Sequence, residues 1–252
     1  MSKYYILGAF LTLATWSGTY APTATSMAGH FQLGGAAQAG VRWTPNPERG
    51  SASSTLSGGR RSAAASACAL DSALLPDPAI TLLVPNGETG LTVSSQPTLS
   101  WYLESESVAN MEFVLSHPEQ AAPVYTKRLS ADTGLVEVTL PDSAALEEGV
   151  RYRWTVFVTC NGGENEIHAR SFVERVAPGG LLIDMVSLPA AEKAEAYAAN
   201  GIWYDALNTL VNAYRSESQI STLLDIRDLL EQAQTDVPLE LSLATSSQQA
   251  VN

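Results

Sequence analysis

Few residues in this chain have types and spacings that chemistry would need. The sequence holds three histidines, His30, His117 and His168, and two cysteines, Cys68 and Cys160. A serine or cysteine nucleophile needs a base oriented by a third group. No Gly-x-Ser-x-Gly motif occurs. His168 stands among Glu164, Glu166 and Arg170 in an alternating, strand-like stretch, which reads as a surface position rather than a general base. His117 precedes Pro118 in a turn. Paired carboxylates could run glycoside hydrolysis, but Glu147-Glu148 and Glu104/Glu106 qualify only by proximity and lie in turn-like contexts. The stretch from Asn161 to Glu166 offers oxygen ligands without the Asp-x-Asp-x-Asp-Gly spacing of a convincing calcium loop. A zinc site needs four ligands, and the histidines are scattered. No catalytic residue, metal or cofactor is expected.

The elements that would position any site begin with an export signal. Lys3 precedes an apolar run from Tyr4 to Trp16, and Ser26-Met27-Ala28 ends a polar stretch with small residues suited to cleavage before Gly29. The run is shorter than the roughly 20 residues needed to span a bilayer. Residues 1–28 are therefore expected to be a cleaved signal peptide, and the mature protein to be secreted or periplasmic. Membrane attachment would arise only through that segment, if uncleaved. In an exported chain Cys68 and Cys160 are more naturally a disulfide than two unrelated thiols. Such a bond would close a loop of about 90 residues, worth on the order of 4–5 kcal/mol by chain entropy.

Charge excludes one partner class. The chain carries 14 Lys and Arg against 26 Asp and Glu, a formal net charge of −12. Nucleic-acid binding rests on Lys and Arg neutralising phosphates, so no nucleic-acid partner is expected. The acids are concentrated after Asp77. The segment 29–78 instead carries Arg42, Arg49, Arg60 and Arg61 in a Gly/Ser/Ala-rich background and reads as a flexible basic leader, with Trp43 its one anomalous residue.

From 79 to 176 the pattern becomes short alternating runs between turn residues. The runs are 80–84, 98–103, 111–116, 124–129, 135–140, 151–160 and 166–173. About seven strands at this spacing predict an antiparallel β-sandwich. Its core would take Tyr152, Trp154, Val156 and Val158 from one strand, Leu99, Trp101 and Leu103 from another, and Met111, Phe113 and Leu115 from a third. The opposite face offers Val114, Phe157 and Phe172, bordered by Arg153 and Arg170, with Tyr102 as a further aromatic. Two readings of this face stand. It binds a peptide or sugar through exposed aromatics, or the C-terminal helices cover it and meet its arginines with their acids. The second is preferred.

Residues 177–186 punctuate the chain as a linker. From 187 to 236 the period is helical. One helix ends at Asn200-Gly201, a second carries Trp203, Ala206, Leu207, Leu210, Val211 and Ala213, and a third runs over 219–234. Residues 237–252 read as a disordered polar tail.

Two stretches resemble known modules. Leu146 to Trp154, with Gly149 and Tyr152, resembles the approach to the penultimate strand of immunoglobulin and fibronectin type III domains. That resemblance implies a hydrogen bond from Tyr152 to backbone near Leu146. The block from Tyr197 to Leu207 resembles the waist of a tetratricopeptide repeat. One copy is visible, so a helical hairpin with a third, capping helix is expected.

The order of motifs is similar to that of a cyanobacterial family of secreted and envelope proteins called domain of unknown function 928. The matching features are the signal peptide, the leader around Trp43-Thr44-Pro45, Cys68 with Leu82-x-Val84-Pro85, Pro97-Thr98-Leu99-Ser100-Trp101-Tyr102, Glu112-Phe113-Val114-Leu115, and Tyr152-x-Trp154 with Cys160. Gly201-Ile202-Trp203-Tyr204-Asp205-Ala206-Leu207 is the most specific of them. The resemblance implies an envelope or secreted location and lends no catalytic residues; the cysteine pair fits a disulfide. The chain is thus expected to be a non-catalytic interaction or accessory protein whose partner is an envelope protein or a glycan. A carbohydrate-binding module and a divergent hydrolase are the alternatives.

Overall fold

Alternation of apolar and polar residues builds two sheets. The computed structural model describes residues 40–45, 78–159, 166–178, 185–235, 237 and 249–250, all within one compact unit spanning 39–252. Strands β1 (Ala79–Leu82), β3 (Thr98–Glu104) and β6 (Gly134–Thr139) form a three-stranded sheet in the order β1-β3-β6. Strands β2 (Gly90–Thr92), β4 (Ala109–Ser116), β5 (Tyr125–Ala131), β7 (Arg151–Thr159) and β8 (Glu166–Arg175) form the larger one, in the order β2-β8-β7-β4-β5. A two-residue strand β9 (Gln249–Ala250) extends it at β5, within the segment read as a disordered tail.

The inner faces are those the period predicts. Leu99, Trp101 and Leu103 face Met111, Phe113, Leu115, Trp154, Val156 and Val158, all buried. Trp101, Phe113 and Trp154 form a triangle with ring centroids 6.1–6.4 Å apart. Such aromatic pairs contribute about 0.5–1.5 kcal/mol each beyond their buried area. The Tyr152 hydroxyl accepts a hydrogen bond from the Glu147 amide at 3.2 Å, across a turn where Gly149 adopts φ 76°.

One strand departs from the expected antiparallel pattern. β2 pairs with β8 in parallel, Leu91 opposite Glu174. Three residues are too few to display a period, and the partner lies more than 70 positions downstream, so nothing local announces it.

Three helices follow: α1 (Ala190–Ala199), α2 (Trp203–Glu217) and α3 (Ile220–Gln232). Pro189 caps α1 at its N-terminus, where its missing N–H costs nothing. Gly201, at φ 72°, makes the turn into α2. Ala194, Ala198 and Ala206 are fully buried, small side chains that let α1 and α2 approach closely. Ile226, Leu229 and Leu230 bury one face of α3, while Ile220 and Leu224 remain exposed. No helix among the described residues is long and apolar enough to cross a membrane.

Helices and sandwich share one apolar core, and part of the leader joins it. Within the segment read as flexible, Val41 and Trp43 are buried, Trp43 edge-on to Trp203 at 5.0 Å. The expected signal peptide, Cys68 and Cys160 lie outside the described residues.

Candidate functional site

The outer face of the larger sheet gathers most of the residues the sequence nominates. Strand register places Val114 beside Thr155, Thr155 beside Arg170, Arg153 beside Phe172, and Phe157 between Glu112 and His168. Arg153 is exposed; Val114, Phe157, Arg170 and Phe172 are half-buried. The Phe157 ring lies 5.6 Å from the His168 ring, inclined by 41°.

Phe157 also borders a cleft of about 390 Å³, lined by Asn110, Met111, Glu112, Arg128, Leu129, Phe157, Thr159 and Glu166. Arg128 and Glu112 pair across adjacent strands at 3.0 Å. The walls thus combine one aromatic face, an amide, a hydroxyl and a partly exposed ion pair. Asn110, Arg128 and Thr159 were not singled out from sequence. The alternation that puts Glu112 and Val114 outward also puts Asn110 there, but only the β4–β5 pairing brings Arg128 alongside.

Tyr102 does not belong to this face. It lies on β3, in the other sheet, and is 4% exposed. Burial, and secondarily the charge of Glu104, raises its phenol above the ordinary range. The period correctly turns Tyr102 away from the sandwich interior, but that outer face is where α2 packs against β3. Arg215 of α2 accordingly meets Glu137 of β6 at 2.5 Å. The preferred reading places the helix contact on the Phe157 face; among the described residues the main helix–strand contacts are instead those of α2 with β3 and with β2, two strands from Phe157 at the edge of the larger sheet.

The helical junction is built by Gly201 to Leu207, and here each residue has a traceable task. Trp203 donates from Nε1 to the Leu83 carbonyl at 2.8 Å. Tyr204 accepts a hydrogen bond from Trp154 Nε1 and donates to the Phe172 carbonyl, both at 3.0 Å. Asp205 accepts the Val93 amide at 3.1 Å. Burial pushes the Tyr204 phenol and the Asp205 carboxyl above their ordinary ranges. Gly90 makes room: a Cβ there would sit 2.5 Å from the Tyr204 ring. The motif is a joint between two modules, which leaves its polar groups committed.

The chemical candidates remain apart. Glu104, Glu106, Glu147 and Glu148 are exposed. His117 Nδ1 accepts the Glu119 amide, and its ring packs edge-on against Tyr152. Among the described residues no cluster of three or more His, Cys, Asp or Glu is placed to hold a metal ion. His30 and residues 161–165 lie outside the described residues.

Comparison with known proteins rests on the family. A model described as Domain of Unknown Function (DUF928) matches residues 57–244. The chain belongs to that family. No curated protein matches it. Among solved structures, one titled as astrotactin-2, a vertebrate-specific, perforin-like membrane protein involved in neuronal development, overlaps at a TM-score of 0.30 and 14% identity. The overlap covers 66% of this chain and 38% of that one, and at that score it carries no conclusion.

Proposed function

We propose that this member of the Domain of Unknown Function (DUF928) family is an exported, non-catalytic interaction component of the cell envelope. Its binding surface is the outer face of the larger sheet around Phe157. The observation that carries this reading is the half-exposed Phe157 ring bordering a cleft with an amide, a hydroxyl and an ion pair in its walls. An aromatic body among a few polar groups suits recognition of a peptide or sugar.

The architecture is read as an immunoglobulin or fibronectin III-like sandwich closed by a tetratricopeptide-like helical hairpin. The strand order β1-β3-β6 against β2-β8-β7-β4-β5 supports the first part, and the alanine-rich contact of α1 with α2 supports the second. Export rests on the N-terminal 28 residues, and a Cys68–Cys160 disulfide rests on export. Mass spectrometry of unreduced peptides from the purified protein tests that bond.

The glycan alternative loses one support, since Tyr102 cannot share a platform with Phe157 and Phe172. The deciding experiment presents the mature protein and its Phe157→Ala variant to solubilised native envelope, read by mass spectrometry, and to a glycan array. A ligand retained by the first and lost at least tenfold by the second supports the reading. Silence on both, or retention indifferent to Phe157, refutes it.

A further inference from the structure

Residues 40–45 meet the helical module in a manner distinct from the joint. Val41 and Trp43 are buried while Arg42 and Thr44 are exposed, the alternation of an extended chain lying on a surface. The helices grip its backbone. Gln232 takes both sides of the segment's peptide groups: its Nε2 donates to the Val41 carbonyl and its Oε1 accepts the Trp43 amide, both at 2.8 Å. One side-chain amide thus supplies the donor and acceptor that a neighbouring strand would offer. The Thr44 amide completes the set, donating to the Ala198 carbonyl at 3.1 Å.

None of these polar contacts uses a side chain of the segment. Its side chains contribute apolar contact, above all the Trp43 indole against Trp203. Backbone hydrogen bonds that give affinity, with pockets for alternate side chains that give specificity, are the recognition chemistry of extended peptides.

We infer that the surface made by Ala198, Trp203 and Gln232 is a peptide-binding site. Its ligand is an extended segment carrying an aliphatic residue and, two positions on, an indole. Residues 40–45 are its resident intramolecular ligand. This site is separate from the Phe157 face. Tethering keeps the resident segment at high effective concentration, so a peptide in trans binds measurably only when the segment is weakened or released.

The test alters the ligand and spares the groove. A fluorescent peptide of residues 39–47 is titrated into the full-length chain carrying Val41→Ser and Trp43→Ala. The expected result is one-to-one binding, at least tenfold tighter than to the unaltered chain. Adding Gln232→Ala, or replacing the indole in the peptide by a methyl, weakens it at least tenfold. A folded double variant that fails to bind up to millimolar peptide overturns the inference, as does binding indifferent to Gln232 and the indole.

Should the double variant not fold, a protease site placed within residues 46–56 of the otherwise unaltered chain serves instead. After cleavage, excess peptide is expected to displace the N-terminal fragment, and the peptide lacking the indole to leave it bound. A fragment that neither peptide displaces, or that both displace equally, refutes the site.

Discussion

The indole of Trp154, in the middle of the sandwich core, donates its N–H to the hydroxyl of Tyr204, in the first turn of α2, at 3.0 Å. The same hydroxyl donates to the Phe172 carbonyl. A side chain of the helical module therefore satisfies the N–H of a fully buried indole of the sandwich. The sandwich and the helices are consequently expected to unfold together.

Tyr204→Phe keeps the ring and removes the oxygen, leaving the Trp154 N–H and a Phe172 carbonyl contact unsatisfied. A loss of about 1–3 kcal/mol is expected, the usual cost of an unpaired buried donor. Urea denaturation followed by tryptophan fluorescence and by far-UV circular dichroism checks it. The two probes should shift together and give one midpoint; separate midpoints would show that the modules are energetically independent.

Gly90 and Tyr204 form a coupled pair. A methyl at position 90 would lie 2.5 Å from the Tyr204 ring, so Gly90→Ala should destabilise by about 1–3 kcal/mol through overpacking. In a Tyr204→Ala background the same change should cost much less, because the clashing ring is gone. A double-mutant cycle measures the difference, and a coupling energy near zero would contradict the contact.

Asp205 predicts a pH dependence. Burial raises its carboxyl above the ordinary 3.8, against the hydrogen bond from the Val93 amide that pulls it down. The folded chain therefore binds this proton more readily than the unfolded chain. Its contribution to stability is greatest below the unfolded value and declines as pH rises through the folded value. Asp205→Asn keeps an acceptor for the Val93 amide without the half-buried charge. The melting temperature of Asp205→Asn relative to the unaltered chain should be higher at pH 7 than at pH 4. A difference that is flat with pH, or reversed, counts against the assignment.

The leader sets a limit on N-terminal trimming. A chain lacking residues 1–39 is the reference. Removing 1–45 also deletes Val41 and Trp43, buried against the helices. With a large-side-chain deletion costing about 3 kcal/mol, and each kcal/mol worth roughly 2–4 °C in a chain this long, a drop of roughly 6–12 °C is expected. Differential scanning fluorimetry of the two truncations decides it.

Much of this molecule could be read from residue order alone. Two-residue alternation assigns Trp101, Phe113 and Trp154 to the core, because strand geometry sends successive side chains to opposite faces. The resemblance of Leu146 to Trp154 to an immunoglobulin-like strand approach implies a hydrogen bond from Tyr152 to backbone near Leu146, and the partner is the Glu147 amide. Val114, Arg153, Phe157, Arg170 and Phe172 fall on one outer face for the same reason. These are properties of local geometry and pattern, which neighbours along the chain carry between them.

What covers a face is not local. Tyr102 and Phe157 are equally outward by period; one is buried and the other lines a cleft, because α2 packs against β3 and against β2, which stands two strands away from Phe157 at the edge of the larger sheet. β2 has no pattern of its own and exists because β8, far downstream, offers an edge. Trp43 stands in a stretch of leader composition and is buried because Trp203 and Gln232, some 160 and 190 positions away, give its ring and backbone partners. Asp205 looks like a solvated acid in a helix and is a half-buried acceptor for Val93. Sequence alone determined which side chains could be presented together; the docking of helices against sheets decided which were left for a ligand, since burial depends on contacts between segments that no local period encodes.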